Sequence, residues 1–213
     1  MDTAEASVDA VRDIGSGGVA VDITTPAGFA AQPGQFVKLT ATVDGEEVSS
    51  IYTISSPTVE RTFEITVDID PEGALGPWLA DGREGEPVGV SGPFGSAHYE
   101  GEGSVVVLAG GPGIGPALAI AERVVSEGGS AAIVYQDDEP FHRDRLDDLE
   151  RAGATVRVLA TDEELTGPVR DAVADTSAEQ VFVYGFGTFV EAARGALEAA
   201  GAPASDAKVE NFG

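Results

Sequence analysis

The sequence predicts a β plus α/β chain: a small antiparallel β-barrel over residues 1–100, followed by a doubly wound, parallel-sheet α/β domain over residues 101–213. Three observations carry this. The first hundred residues read as short alternating or β-branched runs punctuated by turn chemistry. The second half alternates continuous apolar runs with amphipathic stretches, as a sheet covered on both faces requires. The change of pattern falls at Gly101-Glu102-Gly103, with no long linker and no internal repeat.

In the first half, strands are expected at residues 18–24, 35–43, 50–55, 62–69 and 86–91. Turns separate them at Pro33-Gly34, Asp44-Gly45, Pro57 and Pro71 to Gly73, and only residues 75–80 read as a short helix. In the second half, buried strands are expected at 105–109, 131–135, 155–159 and 181–184, with a last short one at 208–212. Helices are expected at 117–127, 143–152, 168–174 and 189–200, several ended by glycine as a left-handed cap. Ligands in such a sheet bind at the carboxyl ends of the strands, at the topological switch.

Composition narrows the function. Of 213 residues, 42% are hydrophobic and 28 are glycine, enough for a core and for many tight turns, so disorder is not the reading. Against 37 acidic residues stand 12 basic ones, of which only Lys38 and Lys208 are lysines; the net charge is -25. Nucleic acid and anionic membrane are thereby disfavoured as partners, because such binding needs clustered cations. The acids are spread along the chain, which reads as a solvated, salt-adapted (halophilic) surface.

Cysteine is absent, which removes disulfides, thiolate catalysis and cysteine-ligated iron–sulfur clusters. His98 and His142 are the only histidines, so no metal site is expected. The amino terminus lacks the basic-then-apolar order of a signal peptide, and no apolar run approaches a membrane span. A soluble, cytoplasmic protein is expected.

Several segments carry chemistry. Gly110-Gly111-Pro112-Gly113-Ile114-Gly115-Pro116 follows a buried strand and opens a helix, where glycines let backbone approach a diphosphate. Taken alone it is either a phosphate cradle or a tight turn. Ser50-Ile51-Tyr52-Thr53-Ile54-Ser55-Ser56-Pro57 ends a barrel strand, where an aromatic can stack on a planar ring and a hydroxyl can meet a ring nitrogen; an ordinary strand end is the alternative. Gly73-Ala74-Leu75-Gly76-Pro77-Trp78, Gly92-Pro93-Phe94-Gly95, Tyr184-Gly185-Phe186-Gly187 and Glu210-Asn211-Phe212-Gly213 follow in that order.

In this order and spacing the segments resemble the ferredoxin-NAD(P)H reductase family over essentially the whole chain. The resemblance implies a flavin-binding barrel followed by a nicotinamide-binding α/β domain, with FAD favoured and FMN possible, and NADH or NADPH as substrate. It implies a flavin site of Tyr52, Thr53, Ile54, Ser55, Gly73, Leu75, Gly76 and Phe212. Thr53 would hydrogen-bond near flavin N5, and Tyr184 and Glu210 would stand with Thr53 as catalytic residues. Gly110, Gly111, Pro112, Gly113, Gly115, Pro116 and Gly185 would hold the nicotinamide nucleotide.

The chain departs from the family pattern at four places. Ser50 replaces the arginine that pairs with flavin phosphate, and Gly76 replaces a hydroxyl residue in the phosphate turn. Loss of the arginine weakens flavin by about tenfold to a hundredfold unless another cation such as Arg83 substitutes, or backbone N–H groups near Gly73 serve. Pro112 replaces a threonine and Tyr184 a cysteine. Asp137, with Asp138, follows the second core strand and favours NADH, since carboxylates repel a 2′-phosphate and accept from a ribose hydroxyl; Arg143 and Arg145 argue the other way.

The function expected is electron transfer from NAD(P)H through hydride transfer to flavin N5, then to a separate acceptor such as ferredoxin, another carrier protein or a small molecule. Two alternatives remain: a non-catalytic, reductase-like subunit with weak flavin binding, and a flavin reductase using flavin as substrate.

Overall fold

In the computed structural model, residues 3–101, 103–202 and 204–213 are described; Glu102, in the middle of the expected boundary, lies outside them. The first strand, β1 (Ala4–Asp13), has no counterpart among the strands expected from sequence: its pattern of Ala, Ser and charge leaves Val8 as its one fully buried side chain. Strands β2 (Gly18–Thr24), β3 (Phe36–Val43), β4 (Glu46–Thr53), β5 (Thr62–Asp68) and β6 (Pro87–Phe94) follow at or within a few residues of expectation.

These six strands form one antiparallel sheet in the order β4-β3-β6-β1-β2-β5. The two edges meet where Ile54 bridges Ile65 and the Ser55 N–H donates to the Glu64 carbonyl at 2.8 Å, which curls the sheet into a barrel. Asp44 and Gly45, at φ 52° and 86°, make the β3–β4 turn in the left-handed conformation that two-residue hairpins demand. Alternate side chains of β2, β3 and β5, among them Val21, Ile23, Leu39, Phe63 and Ile65, fill the barrel. The short helix α1 (Leu75–Ala80) adds Leu75 and Leu79 to that core.

The parallel sheet begins at β7 (Ser104–Gly110), which runs through a 3-10 turn over Gly111–Gly113 into α2 (Ile114–Ser126). Then come β8 (Ser130–Gln136), α3 (Arg143–Arg151), β9 (Thr155–Leu159), α4 (Thr166–Thr176), β10 (Gln180–Gly185), α5 (Gly187–Ala199) and β11 (Lys208–Asn211). Strand order is β11-β10-β7-β8-β9, every pair parallel. Side chains of α2 and α3 pack on one face and those of α4 and α5 on the other, as a doubly wound sheet requires. The order reverses between β7 and β10, so the crevice beyond their carboxyl ends is the natural ligand position. No helix among the described residues is long and apolar enough to cross a membrane.

Candidate functional site

The carboxyl end of the parallel sheet faces the mouth of the barrel, and between them lies a cleft of about 990 Å³. That is room for a large cofactor. From the barrel it is lined by Phe36, Tyr52, Thr53 and Thr66, with Ser50 and Ile51 at its rim. From the other side come Pro112, Phe186, Glu210 and Phe212. Residues far apart in the sequence thus line one cleft.

Local structure explains how each arrives. Tyr52 pairs with Val37 and Thr53 with Phe36 at the end of the β3–β4 ladder. The Tyr52 hydroxyl is pushed up in pKa by burial, against a smaller opposing effect of Ser50. Thr53 is 8% exposed, and its Oγ1 is buried without a hydrogen-bond partner. An unpaired buried hydroxyl costs about 1 to 3 kcal/mol, so its position at the cleft wall points to a ligand atom as the missing partner.

The carboxyl-terminal strand is laid against β10 by parallel pairing of Tyr184 with Glu210, and the Phe212 N–H donates to the Gly185 carbonyl at 3.0 Å. This holds Glu210 and Phe212 in the cleft, where Phe212 meets Phe186 edge to face, centroids 5.9 Å apart. Burial raises the Glu210 carboxyl above its usual pKa. Phe36, Tyr52, Phe186 and Phe212 together give the cleft the apolar, planar-faced lining that an aromatic ring system needs.

The Gly110 to Pro116 loop serves two purposes. Gly111 and Pro112 remain partly exposed, and Pro112 reaches the cleft. Gly110, Gly113, Gly115 and Pro116 are buried, and close packing explains three of these: a Cβ would fall 2.5 Å from the Phe189 ring at Gly110, 2.2 Å from the Tyr184 carbonyl oxygen at Gly113, and 2.8 Å from Thr53 Oγ1 at Gly115. The glycine at 185 likewise admits Phe189, which a Cβ would meet at 2.7 Å.

Several expected site residues sit elsewhere. Tyr184 is fully buried outside the cleft lining; its hydroxyl donates to the Ala97 carbonyl at 2.5 Å, tying β10 to the segment that leaves the barrel. Burial raises its pKa far above the ordinary tyrosine value, so it stays protonated. The Ile54 backbone bridges Ile65 where the barrel closes, and the Ser55 hydroxyl donates to Glu64 at 2.6 Å. Both side chains are buried away from the cleft because the edge-to-edge closure consumes them. Gly73, Leu75 and Gly76 do line it. Asp137 caps its own turn, accepting from the Tyr135 hydroxyl at 3.1 Å and from the Glu139 N–H at 2.9 Å.

The proposed substitute cation, Arg83, is engaged: it stacks over the Trp78 ring at 5.5 Å, donates to the Trp78 carbonyl and pairs with Asp81 at 3.2 Å. It does not line the cleft, and neither does any other lysine or arginine among the described residues. Asp68 and Asp70, which sequence reasoning missed, stand there instead. The Asp70 carbonyl accepts from the Gly73 N–H, so the residues just before Pro71-Glu72-Gly73 were the available signal. The Asp68 carboxyl is raised in pKa by its half-enclosed place and then by Asp137 and Asp70.

A second unforeseen group joins the two units. Arg145 donates to both Glu122 oxygens at 2.8 Å, to Glu64 at 2.7 Å and to the Ser55 carbonyl at 2.7 Å. His142, buried at a left-handed φ of 55°, shares a 2.8 Å hydrogen bond with Thr66. Burial, then Arg145, pushes its pKa down to about 4. Burial raises Glu64, but Arg145, Ser55 and Arg12 outweigh that and hold it ionised.

Comparison with known proteins agrees with this fold. A family model of the oxidoreductase FAD-binding domain matches residues 20–99. The glycine betaine monooxygenase reductase subunit of Pseudomonas aeruginosa is 36% identical over 115 residues, 52% of this chain and 31% of that protein. The ferredoxin reductase component of 3-ketosteroid-9-alpha-monooxygenase from Mycobacterium tuberculosis is 32% identical over 196 residues, covering 84% of this chain and 54% of that one. The chain therefore spans about a third to a half of these curated relatives. Among solved structures, the FAD/NAD binding domain of nitric oxide dioxygenase from Vibrio cholerae superposes with a TM-score of 0.82 at 20% identity, each chain covered fully. The ferredoxin reductase of carbazole 1,9a-dioxygenase gives 0.80 at 23% identity, over all of this chain and 70% of that one.

Proposed function

The chain belongs to the ferredoxin-NAD(P)H reductase-like family of FAD-binding oxidoreductases, and from that premise we propose that it passes electrons from NADH through flavin in the cleft to a separate acceptor. The observation that carries this is the buried, unpartnered Thr53 Oγ1 in an aromatic-lined cleft between barrel and parallel sheet. In this reading residues 1–100 form the flavin unit and 101–213 the nicotinamide unit.

Flavin bound there would supply the chemistry that accepts a hydride and releases electrons singly. The chain's own residues position and enclose. Of the residues that line the cleft, Thr53 would hold a flavin through its hydroxyl, and Tyr52 and Phe212 would hold it by packing. Glu210, with its raised pKa, can hold a proton beside the ring. Gly111 and Pro112, at the β7 end, would receive the nicotinamide nucleotide. The glycines at 113 and 115 keep that loop close to Thr53, and Tyr184 acts by fixing β10 rather than by touching the reacting atoms.

NADH is favoured over NADPH. Arg145, which could have served a 2′-phosphate, is committed to Glu64 and Glu122, and Arg143 lines a separate groove with Arg12 and Asp13. Asp137 stands at the end of β8, where a ribose hydroxyl can be accepted and a phosphate is repelled. The relatives named as reductase components of oxygenase systems support a ferredoxin-like or oxygenase acceptor. The acidic surface supports work in concentrated salt, and the nicotinamide substrate supports the cytoplasm as its place.

The absence of lysine or arginine from the described cleft lining favours a second reading, in which flavin is a dissociable substrate. The test is a visible spectrum of protein purified in molar KCl, with bound flavin released and identified, followed by NADH. Flavin bands near stoichiometry that NADH bleaches are expected. Protein that is colourless, and that oxidises NADH only when free flavin is added in excess, selects the second reading; no NADH oxidation under either condition rejects both.

A further inference from the structure

The cleft is matched to the ring of a flavin but not to its phosphate. Aromatic side chains line the space where a ring fits, with Thr53 and its buried, unpaired hydroxyl in the same wall, while the turn from Gly73 to Gly76, where the family resemblance puts phosphate, is flanked by Asp68 and Asp70. A Cβ on Gly73 would lie 3.6 Å from the Asp70 Cβ, so that carboxylate belongs to the turn itself. Ser49 and Ser50 line the cleft from β4 and bring no charge, and Glu210 adds another carboxylate from β11. The nearest family-type substitute, Arg83, is held by Trp78 and Asp81.

We propose that the site selects flavin by its ring and discriminates against the phosphate, so that unphosphorylated riboflavin binds at least as tightly as FMN, and concentrated salt tightens FMN and FAD specifically. The inference deepens the flavin reading of the cleft and rests on it. The sign follows from electrostatics. An anion bound by lysine or arginine loses affinity as salt rises, whereas an anion held against carboxylates gains, because screening weakens the repulsion. The Debye length falls from about 10 Å at 0.1 M to about 3 Å at 1 M salt, within the span of this wall. The Asp68 carboxyl is raised in pKa by its half-enclosed place, then by Asp137 and Asp70, and a phosphate set beside Asp68 and Asp70 adds a further negative charge to that wall.

The experiment titrates the full chain with riboflavin, FMN and FAD, following quenching of flavin fluorescence. It is run at about 2 M KCl and at the lowest KCl that preserves the native circular dichroism. At low salt the riboflavin Kd is expected at or below that of FMN. Raising KCl should lower the FMN Kd by about tenfold and the riboflavin Kd by less than about threefold. Ser50→Arg should make FMN the tighter ligand by about tenfold at low salt and reverse its salt dependence; Asp70→Asn should narrow the gap without adding a cation. FMN binding about tenfold tighter than riboflavin in the parent at low salt, and weakening with KCl, overturns the proposal while leaving the flavin site intact. Failure of all three flavins to bind at either salt overturns the flavin site and this inference with it.

Discussion

Arg145 of α3 and Glu64 of β5 meet at 2.7 Å across the junction of the two units, and the same guanidinium grips both Glu122 oxygens and the Ser55 carbonyl. With side chains 24% and 13% exposed, the pair is shielded from solvent. Removing one partner leaves the other carboxylates desolvated, which costs more than the pair itself contributes. Arg145→Met is expected to destabilise the chain by up to about 3 kcal/mol in urea unfolding. Arg145→Lys should recover less than half of that, because a single ammonium cannot reach three acceptors with fixed geometry. Full rescue by lysine would show that charge alone, without the fork, holds the junction.

His142 gives this junction a pH dependence. Its folded pKa of about 4 lies below the ordinary 6.5, owing to burial and then Arg145. Above about pH 6.5 both folded and unfolded forms are neutral, and the contribution is complete. As pH falls from there toward 4, the unfolded chain takes a proton that the folded one refuses, and roughly 3 kcal/mol is lost. Glu64, Arg145 and Arg12 face the same imidazole, and Glu64, with its lowered pKa, loses its contribution only at still lower pH. His142→Asn, which tolerates the left-handed backbone, should flatten the stability profile between pH 6.5 and 4.5 and leave the lower limb. A parent and variant with parallel profiles across that interval would rule the imidazole out as its source.

How far the sequence shows all this depends on the range of the interaction concerned. Strands such as β7 and β8 are legible because burial on both faces demands an unbroken apolar run, Val105 to Ala109 or Ala131 to Tyr135. β1 is not, because only Val8 of its side chains is fully buried and its identity comes from pairing with β2 and β6. Helix α2 begins at Ile114, three residues before expectation, because a Gly-Pro pair reads as a turn while proline is acceptable in a first helical turn. In the site, Tyr52, Thr53, Glu210 and Phe212 can be read from motif order. The Arg145 and Glu64 pair spans 81 positions, and no local pattern announces it. Gly115 reads as a phosphate contact because sequence shows that a Cβ is absent, not what occupies its place.

That place is the barrel. A Cβ on Gly115 would lie 2.8 Å from Thr53 Oγ1 and 2.9 Å from Thr66 Oγ1. Gly115→Ala should therefore cost about 1 to 3 kcal/mol in stability and weaken flavin binding by displacing Thr53. Gly167, in the first turn of α4, is the control, since a methyl group there would meet nothing within 4 Å: Gly167→Ala should be neutral or stabilising by up to about 1 kcal/mol. Equal effects of the two substitutions in thermal unfolding would remove the packing argument for Gly115.

Thr53→Val separates the ligand's requirement from the fold's. The change keeps the branched shape demanded by the end of β4 and deletes an oxygen that is buried and unpaired in the free protein. In most sites losing a buried hydroxyl destabilises, since a partner is orphaned. Here none is orphaned among the hydrogen bonds described, so the unliganded variant should be as stable as the parent or more stable by about 1 kcal/mol. Flavin, in contrast, should bind about tenfold more weakly, having lost the hydrogen bond for which the oxygen was held in reserve. Opposite signs in the two measurements identify Thr53 as a ligand-directed residue. Unchanged flavin affinity with raised stability would instead make the hydroxyl a defect of the barrel and move the ring away from β4.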